Sequence, residues 1–355
     1  MIAPLDWGLG HASRCIPIIK YLQKRGCKVI IASDGEQLNL LKKEFPGLEF
    51  VKLKGYNVRY SKYKRWLGAK ILWQTPKILL RIRHEHTDLG GIVDKYDIDV
   101  VISDNRYGLH TNKVPCIFIT HQLIVKSPFP WLQNFIQKIN YRFISRFTEC
   151  WIPDFEGKKN IAGLLSHPEI MPPGINKYIG PLSRFSREEK KGNVYKYFFV
   201  LSGPEPQRTI LEEKIMLITP KLSGKILVVR GKPTEPESDI APGLINIKNH
   251  LTTDEMQNAF LQSEYIISRA GYTTIMELLS LGKKSILMPT PGQTEQEYLA
   301  DHLMQQQWCY KCKQDDDLLF HILKAEKFDY VIPGLDEPFY EKVIDDFLIS
   351  LDCGV

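Results

Sequence analysis

The sequence has no uninterrupted apolar run long enough to cross a bilayer, which argues against an integral membrane protein. Its N-terminus carries neither a basic stretch nor an apolar run behind one, so no secretory signal peptide is expected. The opening "MIAPL" leaves only a stub for a first buried strand, and a few residues are expected to be missing ahead of it. Its seven cysteines are scattered and odd in number, which excludes a disulfide scaffold and suits a reducing cytosol. Cys309 and Cys312 form a CxxC without a second pair or a nearby histidine cluster, so no metal site is expected there. Asp-x-Asp on a turn suited to a metal is missing, as are short repeats and low-complexity tracts. Acid is scarce in one place: from Lys52 to His86 ten Lys or Arg face a single carboxylate, Glu85.

What is present is typical of a globular protein. The 355 residues are 43% hydrophobic and 25% charged, with a net charge of +6. That length exceeds one ordinary core, so two domains are expected. The mild positive charge does not by itself point to nucleic acid, and no nucleic-acid motif accompanies it.

Short, branched, apolar segments alternate with helical patterns. Strands are expected at Ile2–Leu5, Lys28–Ala32, Glu49–Leu53, Val100–Ser103, Cys116–Thr120 and Cys150–Ile152, and helices at Ser13–Arg25, Gly35–Glu44 and Trp66–His84. The pattern weakens from Gly180, where proline, glycine and clustered charge read as a linker. It then resumes. Strands are expected at Tyr197–Leu201, Lys225–Val229, Leu244–Ile247, Tyr265–Ser268 and Ser285–Met288. Helices are expected at Thr209–Ile218, Asp254–Gln262, Thr274–Leu281 and Glu295–Gln306, with a last amphipathic helix after Asp336. The class is α/β: two Rossmann-like domains facing a cleft, each built of βαβ units on a parallel sheet. Residues 1–182 make the N-terminal domain, 183–335 the C-terminal one, and 336–355 the last helix. Ligands of open α/β sheets bind beyond the carboxyl ends of the strands, so the turns there carry most weight.

The first such turn is "WGLGHASR". Gly8 and Gly10 allow a sharp turn and a close approach to the backbone, and Ser13 is a plausible cap for the following helix. His11 would stand at the cleft as a general base, since an imidazole ordinarily titrates near 6.5. Asp104, at the end of another strand in "VISDNRYG", would orient it. Arg14 would contact a phosphate or the acceptor, or pair with an acid. His121 and Gln122 in "FITHQL" would touch substrate, or merely close a capped loop.

In the second half, "VLSGPEPQRTI" offers the hydroxyl of Ser202, the bare amide of Gly203 and the charge of Arg208. The densest signal follows Tyr265. A strand runs into Arg269 and Gly271; then Tyr272, Thr273 and Thr274 open a helix whose N-terminus suits an anion. Glu277, one turn on, can accept hydrogen bonds from a vicinal diol such as a ribose. Gln293 and Gln296 lie in a polar loop suited to sugar hydroxyls.

The Ser268–Leu303 segment resembles the donor-binding region of GT-B glycosyltransferases. It is most similar to the bacterial enzyme that adds N-acetylglucosamine to undecaprenyl-linked muramyl-pentapeptide, and also to plant diacylglycerol galactosyltransferases. The Gly-x-Gly-His of the first turn matches that superfamily's glycine-rich loop. The resemblance implies a UDP-sugar donor and no cofactor. Gly271, Thr273 and Thr274 would hold the diphosphate, Glu277 the ribose, and Gln293 and Gln296 the donor sugar. The main chain around His250 and Leu251 in "NHLTTDEM" would read uracil. In that family the last helix crosses back onto the first domain.

The first turn departs from the lipid-linked enzyme. It is shorter, and it carries Arg14 after the histidine. That variant also resembles a UDP-sugar hydrolase of the same fold. "SGPEPQR" replaces the transferase's Gly-Ser-rich loop, so the donor sugar does not carry over. A histidine base that deprotonates an acceptor attacking from the far face implies inversion, and the helix amides and threonines, with Arg208 or Arg269, would replace a metal. The expectation is an inverting, metal-independent UDP-sugar glycosyltransferase of the cell envelope. The alternatives are the hydrolase and a non-catalytic nucleotide-sugar-binding subunit that anchors a partner. The basic, aromatic 59–84 segment would suit an anionic membrane surface, or else form a solvated face over a core-packed helix. With the first reading, the protein sits in the cytoplasm, peripheral on the inner face of the membrane, and its acceptor is lipid-linked or membrane-proximal.

Overall fold

The structure is a computed structural model that describes residues 1–56, 67–126, 130–186, 192–232, 243–335 and 339–352. The part of the basic segment from residue 59 to 66 lies outside the described residues. The chain divides into two compact units, whose boundary along the sequence falls between Arg184 and Phe185; the C-terminal helix belongs to the first unit.

The first unit is built on seven strands: β1 (Ile2–Pro4), β2 (Ile30–Ser33), β3 (Glu49–Lys52), β4 (Val101–Asp104), β5 (Cys116–Ile119), β6 (Glu149–Ile152) and β7 (Ile175–Tyr178). They are all parallel, in the order β3-β2-β1-β4-β5-β6-β7. The helices are α1 (Leu9–Lys24), α2 (Gly35–Glu44), α3 (Leu67–Tyr96) and α4 (Pro130–Ile144). The five strands β1, β2, β4, β5 and β6 are buried along their whole length, which is why each reads as an apolar run. Ala3, Ile30, Val101, Phe118, Cys150 and Ile152 meet Leu89 and Val93 of α3 in one core.

The second unit holds six parallel strands in the order β10-β9-β8-β11-β12-β13: β8 (Tyr195–Val200), β9 (Ile226–Val229), β10 (Ile245–Lys248), β11 (Ser263–Ser268), β12 (Lys284–Leu287) and β13 (Tyr310–Lys311). Its helices are α5 (Gln207–Ile218), α6 (Thr253–Leu261), α7 (Tyr272–Ser280), α8 (Thr294–Gln305) and α9 (Leu318–Glu326). Tyr197, Phe199, Val228, Ile267 and Ile286 of the sheet pack with Leu211, Ile215 and Ile322 of the helices.

The last helix, α10 (Phe339–Asp352), lies on the first unit. Tyr21 of α1 donates its hydroxyl to Asp345 Oδ2 at 2.8 Å, and the Tyr21 and Tyr340 rings meet edge to face. Phe347, 4% exposed, sets its ring edge-on to Trp151 of β6 with centroids 5.7 Å apart. Helix α10 therefore packs against α1 and β6.

Four features differ from the sequence reading. Strands β7 and β13 stand at sheet edges, where fewer apolar residues are needed, and neither was expected. Helices α4 and α9 were not anticipated either. Helix α3 runs twelve residues beyond His84, through two glycines. Most directly for the site, α1 starts at Leu9 rather than Ser13: Gly8 is its N-cap, with φ 97°, and no side chain caps it. Ser13 is buried inside the helix and caps nothing.

Phe347→Ala should cost about 3–5 kcal/mol by leaving a cavity beneath α10. A urea-unfolding series followed by tryptophan fluorescence checks it.

Candidate active site

In the first sheet, Pro4 pairs in register with Asp104, and Asp104 with Ile119, so β1, β4 and β5 end level. Strand order reverses between β1 and β4, the place where open α/β sheets bind ligands. The residues that follow these ends are His11, Asp104 and His121.

Three of them form one charged cluster with Arg14. The Asp104 carboxylate is fully buried. It accepts from Arg14 Nε at 3.1 Å and 3.0 Å, and from Arg14 Nη2 as well. His11 Nδ1 lies 2.9 Å from Asp104 Oδ2 and 2.9 Å from Arg14 Nη2. Arg14 Nη1 is 3.4 Å from His121 Nδ1. His11 and Arg14 sit three residues apart on α1 and so share a face. Arg14 meets an acid here, and at 2% exposure the residue is enclosed. His121, 3% exposed, is part of this cluster, while Gln122 stays half-buried.

Burial by itself pushes the Asp104 pKa up. The positive charge of Arg14, then that of His11, and their hydrogen bonds outweigh it, and the carboxyl titrates below the usual carboxylate range. A carboxylate on Nδ1 favours the tautomer with its proton there, which leaves the Nε2 lone pair to take a proton. His11 keeps 15% of its side chain exposed, unlike Asp104 and Arg14. Cys15 Sγ also points at Asp104 Oδ2, 3.9 Å away; burial, then the nearby carboxylate, hold its thiol protonated well above the ordinary range.

Behind this cluster lies a second one that sequence reasoning missed. Arg106, fully buried, binds Glu85 Oε1 of α3 at 3.0 Å through Nε and 2.6 Å through Nη2. It also donates to Lys54 O at 2.7 Å and Pro4 O at 3.4 Å. Tyr56 donates to Glu85 Oε2 at 2.9 Å. Burial raises the Glu85 pKa in spite of Arg106. The signal was on view: Glu85 is the lone acid of the basic stretch. The loop after β6 is organised in the same way. Buried Asp154 accepts from the amides of Phe155, Ile161 and Ala162 and from Ser166 Oγ. That loop presents Leu165 O to the amides of Leu123 and Ile124, just after Gln122.

In the second unit the strand ends are also level: Val200 pairs with Ser268, Ser268 with Leu287, and Val229 with Val200 and Lys248. The predicted donor residues follow these ends. Ser202 and Gly203 are exposed after β8. Gly203 has φ +103°, and a Cβ there would lie 3.6 Å from Thr290 Oγ1 and 4.0 Å from Arg269 Nε. Those two polar atoms are buried without hydrogen-bond partners among the described residues. Arg269 donates to Gln207 O at 2.8 Å and to Met288 O and Pro289 O at 3.4 Å, and reaches Gln314; burial pulls its pKa down to about 10.

Arg208 is 7% exposed and committed to Glu205 and to Glu212, the latter at 2.8 Å. Gly271 caps α7 without a side-chain bond; Thr273 and Thr274 are half-buried in its first turn. Tyr272 and Glu277, on the same helix, are each 4% exposed. Gln293 is the N-cap of α8, and Gln296 takes the Thr290 amide at 2.9 Å while donating to Gln293. His250 and Leu251, half-buried after β10, lead into the Thr252–Glu255 capping box of α6.

Among the described residues no three His, Cys, Asp or Glu side chains are grouped to hold a metal ion. Cys309 and Cys312 are both buried, and burial holds both thiols protonated, Cys312 up to about 12.

Residues 208–326 match the family described as the glycosyltransferase family 28 C-terminal domain. An uncharacterized glycosyltransferase of Methanosarcina acetivorans is 24% identical over 317 residues, covering 82% of this chain and 77% of that one. The UDP-N-acetylglucosamine–N-acetylmuramyl-(pentapeptide) pyrophosphoryl-undecaprenol N-acetylglucosamine transferase of Mannheimia succiniciproducens is 23% identical over 304 residues, covering 82% and 78%. Among solved structures, the Streptomyces sp. SF2575 glycosyltransferase SsfS6 in complex with thymidine diphosphate superposes with a TM-score of 0.56 at 12% identity, covering 97% and 98%. This chain is a glycosyltransferase of the GT-B fold. The glycosyltransferase is similar to the muramyl-pentapeptide N-acetylglucosaminyltransferases, and its family match falls wholly in the second unit.

Asp104→Asn should destabilise the glycosyltransferase by about 3 kcal/mol at neutral pH, because Arg14 is left buried without its counter-charge. The folded-state pKa of Asp104 is depressed, so its contribution is present above the ordinary carboxylate pKa and lost as pH falls through the lowered one. The gap in unfolding free energy between parent and variant should therefore narrow on acidification below about pH 4, read by urea titration at stepped pH.

Proposed function

We propose that this glycosyltransferase moves a sugar from a UDP-sugar to an acceptor hydroxyl with inversion and without a metal. The observation that carries the reading is the contact of His11 Nδ1 with buried Asp104, 2.9 Å long, with Arg14 pinning the carboxylate. As the acceptor oxygen attacks the anomeric carbon, its proton passes to His11 Nε2. The carbon–oxygen bond to the diphosphate breaks, and the diphosphate leaves with the electron pair. Asp104 stabilises the imidazolium that results.

The donor belongs to the second unit. The first-turn amides of α7 at Gly271, Thr273 and Thr274, with Ser202 and Gly203, would take the diphosphate and the charge that builds on it. Glu277 would hold the ribose, the main chain at His250 and Leu251 the base, and Gln293 and Gln296 the sugar. Arg208 and Arg269 would act on the diphosphate through their field and by shaping its loops, since both are enclosed by other partners. Support for a nucleoside diphosphate comes from the structural neighbour bound to thymidine diphosphate, and support for a lipid-linked or membrane-proximal acceptor from the relative acting on pyrophosphoryl-undecaprenol. The protein would then work peripherally on the cytoplasmic face of a membrane, with the 59–84 segment towards the surface.

His11→Ala should lower kcat by roughly 10²–10⁴ while the thermal shift produced by UDP is unchanged. Unaltered turnover would leave only a nucleotide-sugar-binding role, and rapid sugar release from UDP-sugars without acceptor would make water the nucleophile.

A further inference from the structure

The stretch "SGPEPQR" runs into α5 at Gln207, the first residue of that helix, and Gln207 is held twice. Its main-chain oxygen accepts from Arg269 Nη2 at 2.8 Å. Its side-chain Oε1 accepts from Gln314 Nε2 at 2.9 Å. Gln314 Oε1 in turn accepts from the same Arg269 Nη2. One amide thus links a guanidinium to the start of a helix, spending its donor on one and its acceptor on the other.

Gln314 is 4% exposed and lies between β13 and α9, 107 residues from Gln207 and 45 from Arg269 along the chain. It is clamped to α5 a second time. Lys214 Nζ donates to Gln314 O at 2.8 Å and to Asp315 Oδ1 at 2.8 Å. Gln207 and Lys214 are about two helical turns apart and so share one face of α5. Arg269 Nη1 donates to Met288 O and Pro289 O, so the guanidinium plane is fixed from two sides. The turn at Ser202 and Gly203 rests on this fixed group: a Cβ on Gly203 would lie 4.0 Å from Arg269 Cγ and Nε and 3.6 Å from Thr290 Oγ1. Gln314 reaches that turn through Gln207 and Arg269. Without its amide, both would lose a partner inside the unit.

We propose that Gln314 is a positioning residue for the donor diphosphate: it fixes Gln207 and Arg269, and through them the Ser202–Gly203 turn that lies against Arg269, two residues ahead of the α7 cap at Gly271. It touches no ligand itself. The assignment rests on the reading that a nucleoside diphosphate is held by that turn and by the first turn of α7, and it adds a residue that the reading does not contain.

The test is calorimetric titration of the full chain with UDP and with inorganic pyrophosphate, alongside uridine followed by ligand-detected NMR. Gln314→Leu should weaken UDP and pyrophosphate by roughly tenfold and leave uridine unchanged. Gln314→Glu keeps an acceptor for Arg269, and the Gln207 amide, turned over, can donate to its second oxygen; its affinity for UDP should stay within about threefold of the parent. Gln207→Leu breaks the other end of the link at a half-buried position and should act in the same direction as Gln314→Leu. Circular dichroism at the titration temperature checks that each variant is folded. Parent-like UDP affinity in both leucine variants overturns the proposal. So does an equal loss of UDP and uridine, which marks a general loosening of the unit, and so does a Glu variant as weak as the Leu one. A parent that binds none of the three probes overturns the donor reading and this assignment with it. Should the parent bind pyrophosphate and ignore UDP, the uridine donor falls, while a tenfold loss of pyrophosphate affinity in Gln314→Leu upholds Gln314.

Discussion

A carboxylate taken out of water needs a counter-charge, and Asp104 has one in Arg14. Without the guanidinium, the cost of an unpaired buried charge would run to several kcal/mol, and the acid would protonate and lose its hold on His11. The ring's orientation therefore rests on an ion pair that touches no substrate in the mechanism proposed above. The arrangement needs two geometric conditions. Helix α1 must put residues 11 and 14 on one face, and the sheet must place β4 directly beside β1, which brings Asp104 to Arg14 across a sequence separation of 90 residues.

The same device recurs. Arg14, Arg106 and Arg269 are 2%, 0% and 2% exposed, and each sits at the carboxyl edge of a sheet. Arg106 joins the ends of β1, β3 and β4 to α3 through Pro4 O, Lys54 O and Glu85. Arg269 joins the end of β11 to the end of β12 and the start of α5. A guanidinium can do this because its five donors span several acceptors in one plane and it keeps its charge when buried. From sequence, Arg14 read as a partner of a phosphate, the acceptor or an acid, and Arg269 as a charge that would help replace a metal at the diphosphate. In the fold Arg14 ties α1 to the end of β4, and Arg269 ties the ends of β11 and β12 to α5.

Much of this was legible in the sequence. The central strands were found to within a residue or two because both of their faces are buried, so they read as short apolar runs. The edge strands β7 and β13 escaped: "INKY" and "YK" carry no such run, since one side of an edge strand meets no neighbour. The start of α1 was misplaced because Gly8 and Gly10 have poor helix propensity, and propensity is a weak guide once tertiary packing fixes the first turn. Helix α4 was overlooked because its Trp131, Phe135 and Ile139 face outward, so its pattern does not mark a core face. The partners of Arg208 were not foreseen, although Glu205 and Glu212 lie three and four residues from it, the spacing at which helical ion pairs form.

The local content of each segment was set by the order of its residues: a strand where branched apolar residues cluster, a helix where they recur every three or four, a glycine or polar group at the turn between. Spacing along the chain carries that information, because backbone and side-chain periodicities act over a few residues. Which strand lies beside which was decided only by the tertiary structure. The order that sets β1 between β2 and β4, and β8 between β9 and β11, depends on burying both faces of each sheet at once. It is this non-local choice that brings Asp104 to His11 and Arg14, gives Glu85 to Arg106, and leaves Trp131, Phe135 and Ile139 of α4 facing out.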